Sequence, residues 1–271
     1  MIVFQPLVDR LRGPLSALVA KTRHRLGPGH VVLGYHDVLA PGEPSVGLSV
    51  GAHDLARHIA QVRAAGYTIA SLDQLVDALQ NPDSPPLAAI TFDDALGGLY
   101  SNGMPVLAQA GVPATVFVVA DHLGVFPPWW EGMPATMTAQ QLGEWVAAGH
   151  TVGSHTRSHR SLPRLTDTDL ASELSESRVK LRDILRSVGA EQPVDLLAYP
   201  SGHHNAWVRV GAELAGYRAA FTFLNGRAEP GNDPLRLPRI TMGDHSTERR
   251  FNYHLHRAAD SWPNHQLDDV R

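Results

Sequence analysis

Short, continuous apolar runs punctuate this chain at intervals that a helix can fill. They are Val31–Tyr35, Tyr67–Ala70, Ala88–Phe92, Thr115–Val119, Thr151–Ser154, Asp195–Tyr199 and Ala219–Phe223. Each is too short for an amphipathic helix and too uniformly apolar for a strand with one wet face. They read as strands covered on both sides, the signature of a parallel sheet. Between them lie helical patterns at 52–65, 72–79, 166–188, 205–215 and 247–259. Ser71 with Gln74, and Thr138 with Gln141, have capping-box spacing, and Gly189 ends the long helix that Thr166 opens. Strand and helix in alternation give an α/β fold. About seven such units in 271 residues suit one barrel better than an open sheet, with no linker dividing the chain.

Composition narrows the chemistry. The formal net charge is -4 and no basic stripe occurs, so nucleic acid is not an expected partner. With no cysteine, disulfides and thiolate metal sites are excluded, and any metal must be held by His and carboxylates. No run of about 18 apolar residues marks a membrane span. Residues 1–28 lack a clean signal peptide and read as an N-terminal amphipathic segment ahead of a catalytic domain over 29–271. Leu7, Leu11, Leu15, Leu18 and Val19 recur there at helical spacing beside basic residues. That pattern fits a helix packed on the domain or one lying on a membrane surface. The expected location is the cytoplasm, with the membrane surface as the alternative.

In parallel α/β folds, chemistry sits beyond the carboxyl ends of strands. The run Ala88–Phe92 ends in Asp93 and Asp94. Adjacent carboxylates repel, and a cation would offset the cost, although a helix N-cap pair is the plainer reading. His155 and His159 follow Thr151–Ser154. Four residues apart, on a turn of helix, they would share one face and could chelate one ion. Two imidazoles and a carboxylate with room for water form the ligand set of a hydrolytic divalent site, zinc first, with Co2+, Ni2+, Fe2+ or Mn2+ also suited. His36 ends the first strand and could be a general acid or simply a satisfied strand-end histidine. The turn at Ala198-Tyr199-Pro200-Ser201-Gly202 could present an N–H to an oxyanion. Trp129 and Trp130, in a loop over 126–134, suit either lid packing or a sugar-stacking surface, and Tyr199 is a further sugar-contact candidate.

Thr91-Phe92-Asp93-Asp94 and Ser154-His155-Thr156-Arg157-Ser158-His159, in this order, resemble the first two motifs of the polysaccharide deacetylase family, the NodB-like enzymes of carbohydrate esterase family 4. The likeness runs from about Val31 to Ile240. It implies a distorted (β/α)7 barrel in a single domain. It also implies removal of N-acetyl groups from a sugar or polysaccharide, with Asp93 as base and Asp94, His155 and His159 as metal ligands. The early Tyr35-His36-Asp37 is similar to the exopolysaccharide N-deacetylase branch, which makes His36 the acid and Ser201 the donor of the oxyanion N–H. Ala95 stands where the family has Gly. Ala198 stands where an Arg commonly orients the base, a task Arg239 could assume. His245 is a rival acid, with His203 and His204 weaker ones. The competing readings are a hydrolase of an O-acetyl ester or a non-sugar amide on the same scaffold, and an inactive carbohydrate-binding protein.

Overall fold

A computed structural model describes residues 29–256. The amphipathic pattern over 1–28 and the last residues of the 247–259 helical pattern lie outside the described residues. The strands are β1 (Val31–Tyr35), β2 (Val38–Leu39), β3 (Val50–Gly51), β4 (Thr68–Ile69), β5 (Leu87–Phe92), β6 (Thr115–Val118), β7 (Thr151–Ser154), β8 (Leu196–Ala198), β9 (Ala219–Phe221) and β10 (Ile240–Thr241). The α-helices are α1 (Ala52–Ala64), α2 (Leu72–Ala78), α3 (Met104–Ala110), α4 (Ala139–Ala147), α5 (Asp167–Ala171), α6 (Ser177–Ser187), α7 (Ala206–Leu214) and α8 (Glu248–His256).

The main sheet runs β10-β1-β5-β6-β7-β8-β9, with β4 paired to the start of β5. Its pairings are parallel throughout. It curls until its two ends approach. The segment after β9 bridges them: Phe221 pairs with Leu237, Thr222 N–H donates to the Leu237 carbonyl at 2.9 Å, and the chain then enters β10 beside β1. This is the curled (β/α)7 architecture in a single domain.

Side-chain parity explains why these runs are apolar on both faces. Val31, Leu33 and Tyr35 of β1, and Ala88, Ile90 and Phe92 of β5, pack outward with α1, α4 and α6 in one core cluster. Val32, Ala89, Phe117, Ala198 and Phe221 point the other way and form the barrel interior, joined by Leu72, Leu75 and Val76 of α2. α5 and α7 cover the last strands through Leu170, Val208 and Ala212. The inward parity continues past the strand ends: Val32 and Gly34 lead to His36, and Ala89 and Thr91 lead to Asp93.

Both expected capping boxes are present, at Ser71 and Thr138. The helix opened by Thr166 is interrupted. A π-helical turn over Ser172–Glu176 separates α5 from α6. Residues 99–110, with no sequence reading as helix, form a π turn running into α3. Gly98 and Gly103 obscure the pattern there, because glycine is a weak helix former.

Candidate metal and catalytic site

The carboxyl end of the barrel gathers residues from β1, β5, β7 and the segment before β10. Asp94 Oδ1 lies 3.7 Å from His155 Nε2 and 3.5 Å from His159 Nε2. One ligand atom from each of the three residues falls within 4.8 Å of the others. A four-coordinate ion with bonds of ~2.1 Å holds its ligand atoms about 3.4 Å apart, so these residues fit a zinc-like cation.

The local backbone differs from the helical turn expected at 155–159. The segment is a loop, with Thr156 at φ 67 and His159 at φ 62. The two imidazoles meet because the loop folds back, not because i and i+4 share a helix face. Asp93 and Asp94 also diverge by a backbone kink: Asp94 (φ 67) and Ala95 (φ 53) are both left-handed. Ala95 thus holds a conformation in which glycine is the relaxed residue.

His155 points Nδ1 at the Ala198 carbonyl, 2.8 Å away. A backbone acceptor there fixes the tautomer and leaves Nε2 free as a ligand. Burial, then the Asp93 charge, pushes the Asp94 carboxyl up to about 8. Burial, then His155, pushes His159 down to about 3. The three groups therefore tend to be uncharged without a cation, and their Asp–His contacts are not ion pairs. A divalent ion reverses this for Asp94 while using the imidazoles in the neutral form they already favour.

Asp93 is fully buried and held by Arg239, with Nη1 on Oδ1 and Nη2 on Oδ2, each at 2.7 Å. Burial alone would raise this carboxyl. The guanidinium outweighs it, followed by His155, and Asp93 sits well below the usual carboxylate range. Arg239 is itself fixed by Thr91 Oγ1 and the Thr222 carbonyl, and it lies over the Phe117 and Phe223 rings. His36 is buried beside this pair, edge-on to Trp130 with centroids 5.4 Å apart. Burial lowers it to about 4 against the opposing charge of Asp93.

Trp129 and Trp130 both reach the site. The Trp129 indole N–H donates to Asp94 Oδ1 at 3.1 Å, and its ring stacks on His159 at 4.6 Å and 12°. In this arrangement Trp129 packs on the ligand set, and the loop over 126–134 acts as its cover. Ser201 is exposed at φ 55 in the turn after β8. Tyr199 does not belong with the sugar contacts. Its ring is sealed in the core, stacked on His204, and its hydroxyl donates to the Leu235 carbonyl. The inward-outward alternation of β8 sends it toward α7 rather than the barrel mouth. His203 lies against the Ser161 hydroxyl, and His245 is exposed beside Asp244.

Two relationships had no reading in the sequence. One is the Trp129–Asp94 bond, which depends on a loop closing across 35 residues. The other is Glu173, buried against the loop that carries the histidines. Its signal was an acid set among Leu170, Leu174, Leu181 and Leu185, the buried stripe of that helix.

The fold agrees with what comparison with known proteins finds. The solved structure of IcaB from Ammonifex degensii superposes with a TM-score of 0.71 at 25% identity, over 85% of this chain and 98% of that one. The Streptococcus pyogenes deacetylase PplD gives a TM-score of 0.72 over 84% and 99%, its 22% identity supporting the fold alone. The poly-beta-1,6-N-acetyl-D-glucosamine N-deacetylase of Staphylococcus aureus (strain COL) is 24% identical over 184 residues, 67% of this chain and 60% of that enzyme. Residues 80–220 match the polysaccharide deacetylase family, and the chain belongs to that family.

Proposed function

We propose that this protein removes acetyl groups from the N-acetylated sugars of a polysaccharide, using a divalent cation, zinc first, held by Asp94, His155 and His159. The observation that carries the reading is the approach of Asp94 Oδ1 to both imidazole Nε2 atoms, at 3.7 and 3.5 Å, beside a carboxylate already paired to arginine. The S. aureus relative's named substrate, poly-β-1,6-N-acetylglucosamine, supports the sugar class.

A cation at this position supplies Lewis acidity, lowering the pKa of water and polarising an acetamide carbonyl. The chain's own groups do the rest. Asp93, kept ionised and oriented by Arg239, takes the proton of the attacking water. The Ser201 N–H, on the exposed turn after β8, donates to the carbonyl oxygen as it gains charge. His36 delivers a proton to the departing amine. Held at about 4, His36 is neutral at rest, so the proton it delivers is the one Asp93 takes from water: Asp93, the weaker base of the two, passes it to His36, and His36 gives it to the amine as the C–N bond breaks. Trp130, edge-on to His36, is the contact for the sugar ring, and Trp129 closes over the ligands.

The test is acetate release from poly-β-1,6-N-acetylglucosamine oligomers by protein stripped with chelator and then reloaded with Zn2+ or Co2+. Loss and recovery of activity are expected. Full activity in the stripped protein would refute the metal-dependent reading. Release only from O-acetyl esters would transfer the protein to ester hydrolysis.

A further inference from the structure

The loop from His155 to His159 is held in a backbone its residues do not favour. Thr156 and His159 both have φ above 60°, and for a β-branched threonine that is a genuine outlier. Such a conformation persists only where its surroundings over-determine it. Two local bonds contribute: Thr156 N–H to Ser154 Oγ at 3.1 Å, and His159 N–H to Thr156 Oγ1 at 3.3 Å.

Between the two strained residues stand Arg157 and Ser158. Their successive N–H groups both donate to Oε2 of Glu173, at 3.0 and 2.9 Å, and the Ser158 hydroxyl donates to Oε1. Glu173 is 3% exposed. It lies in the π-helical turn between α5 and α6, a feature that inserts an extra residue and is frequent at functional sites. A buried carboxylate on an apolar stripe is costly unless bonded. Here the donors that satisfy it come from one loop, the one that carries both histidines.

We propose that Glu173 is a positioning residue for the cation site. By locking Arg157 and Ser158 it fixes the left-handed backbone at His159 and so aims Nε2 at Asp94. Its hydrogen bonds go to Arg157 and Ser158 and not to a ligand side chain, so it acts through the loop. The inference rests on the metal-site reading above.

The test measures binding of Zn2+ alone to stripped protein, by competition with a chromophoric chelator. Glu173→Gln keeps the size but removes the charge, leaving one neutral oxygen to accept from both N–H groups and an amide NH2 against the Ser158 hydroxyl, which must turn to accept. Its zinc dissociation constant is expected to rise 10- to 100-fold, the usual effect of losing a group that orients a ligand. The deciding arm repeats the substitution in His159→Ala. If Glu173 acts through His159, no further weakening follows there, whereas general support of the fold would weaken both backgrounds equally. Should Glu173→Gln not fold, as judged by circular dichroism, Ser158→Ala removes the hydroxyl donor alone and should weaken zinc measurably in the wild-type background only. Unchanged zinc affinity, or equal weakening in both backgrounds, overturns the proposal while leaving the metal site intact. Absence of zinc binding by the unaltered protein overturns both.

Discussion

Arg239 meets Asp93 through both terminal nitrogens of its guanidinium, and neither side chain is reached by solvent. The pair joins the strand end that carries the candidate base to the segment that closes the barrel. Its chemistry is directional: the bidentate fork fixes the carboxylate plane, and the charge keeps a proton off it. Arg239→Lys retains the charge but loses the fork. The acid limb of the pH profile for kcat/KM should move to higher pH, because a weaker partner lets Asp93 protonate more easily. Misplacing the base should lower kcat/KM about 10²-fold. Arg239→Ala leaves a buried carboxylate alone and should cost about 3–5 kcal/mol of stability by denaturant unfolding. An unmoved acid limb in Arg239→Lys would argue that Asp93 is not the base.

Trp129 offers an optical handle on the ligand set. Its indole stacks on His159 and bonds Asp94, so a paramagnetic cation placed between those residues lies within contact range of the ring. Co2+ added to stripped protein should quench tryptophan fluorescence with a stoichiometry of one, and the quench should largely vanish in Trp129→Phe. That variant keeps the stack and loses the N–H that favours charged Asp94. Its cation affinity should fall about tenfold. Because Trp130 also reaches the site, some quenching remains through it, and quenching undiminished in Trp129→Phe would place the ion elsewhere.

The parallel sheet was legible because burial on both faces leaves the strands apolar or lightly polar, with no charged residue in them. Val31–Tyr35 and Thr151–Ser154 begin and end where the apolar runs do. Asp93, Asp94, His155 and His159 were legible only as a set, since each has a bland reading alone but two imidazoles and a carboxylate at strand ends together make the ligand set of a divalent ion. Three things were not. The loop at 155–159 passes for helix because spacing records distance along the chain and not the sign of φ. The seat of Arg239 depends on closing a barrel, an event with no local trace. Tyr199 shared a motif with the site, but strand parity turned it into the core.

Gly98 tests how the site's floor is assembled. A Cβ at this position would collide with the Asp37 carboxylate and stand 2.5 Å from the Val38 carbonyl. Both residues belong to the segment leaving β1 directly after His36. Gly98→Ala must push that segment aside, costing about 1–3 kcal/mol as other overpacked sites do. Because the shift begins beside the candidate acid, kcat should fall while the zinc dissociation constant stays near wild type. Thermal unfolding, acetate release and zinc titration on one preparation separate these effects. Wild-type stability would show that the backbone yields there at no cost.

The raised Asp94 carboxyl makes stability depend on pH in a direction opposite to that of a salt-bridged carboxylate. In the folded, cation-free protein it titrates at about 8, against 3.8 when unfolded. Its contribution is therefore fully present below pH 3.8 and is lost as pH rises through about 8. Between those limits the unfolded chain releases a proton that the folded one keeps, so stability falls with pH by up to about 1.4 kcal/mol per unit from this group. Asp94→Asn removes the titration. In chelator at pH 8 the variant should melt above the wild type, and at pH 4 the two should converge. With Zn2+ the order should invert, because the cation stabilises only the protein that can offer it a carboxylate. By the same logic, zinc binding at pH 7 should release about one proton, measurable as a dependence of the calorimetric heat on the ionisation enthalpy of the buffer. Equal melting temperatures in chelator across this pH range would mean that Asp94 stays ionised without a cation.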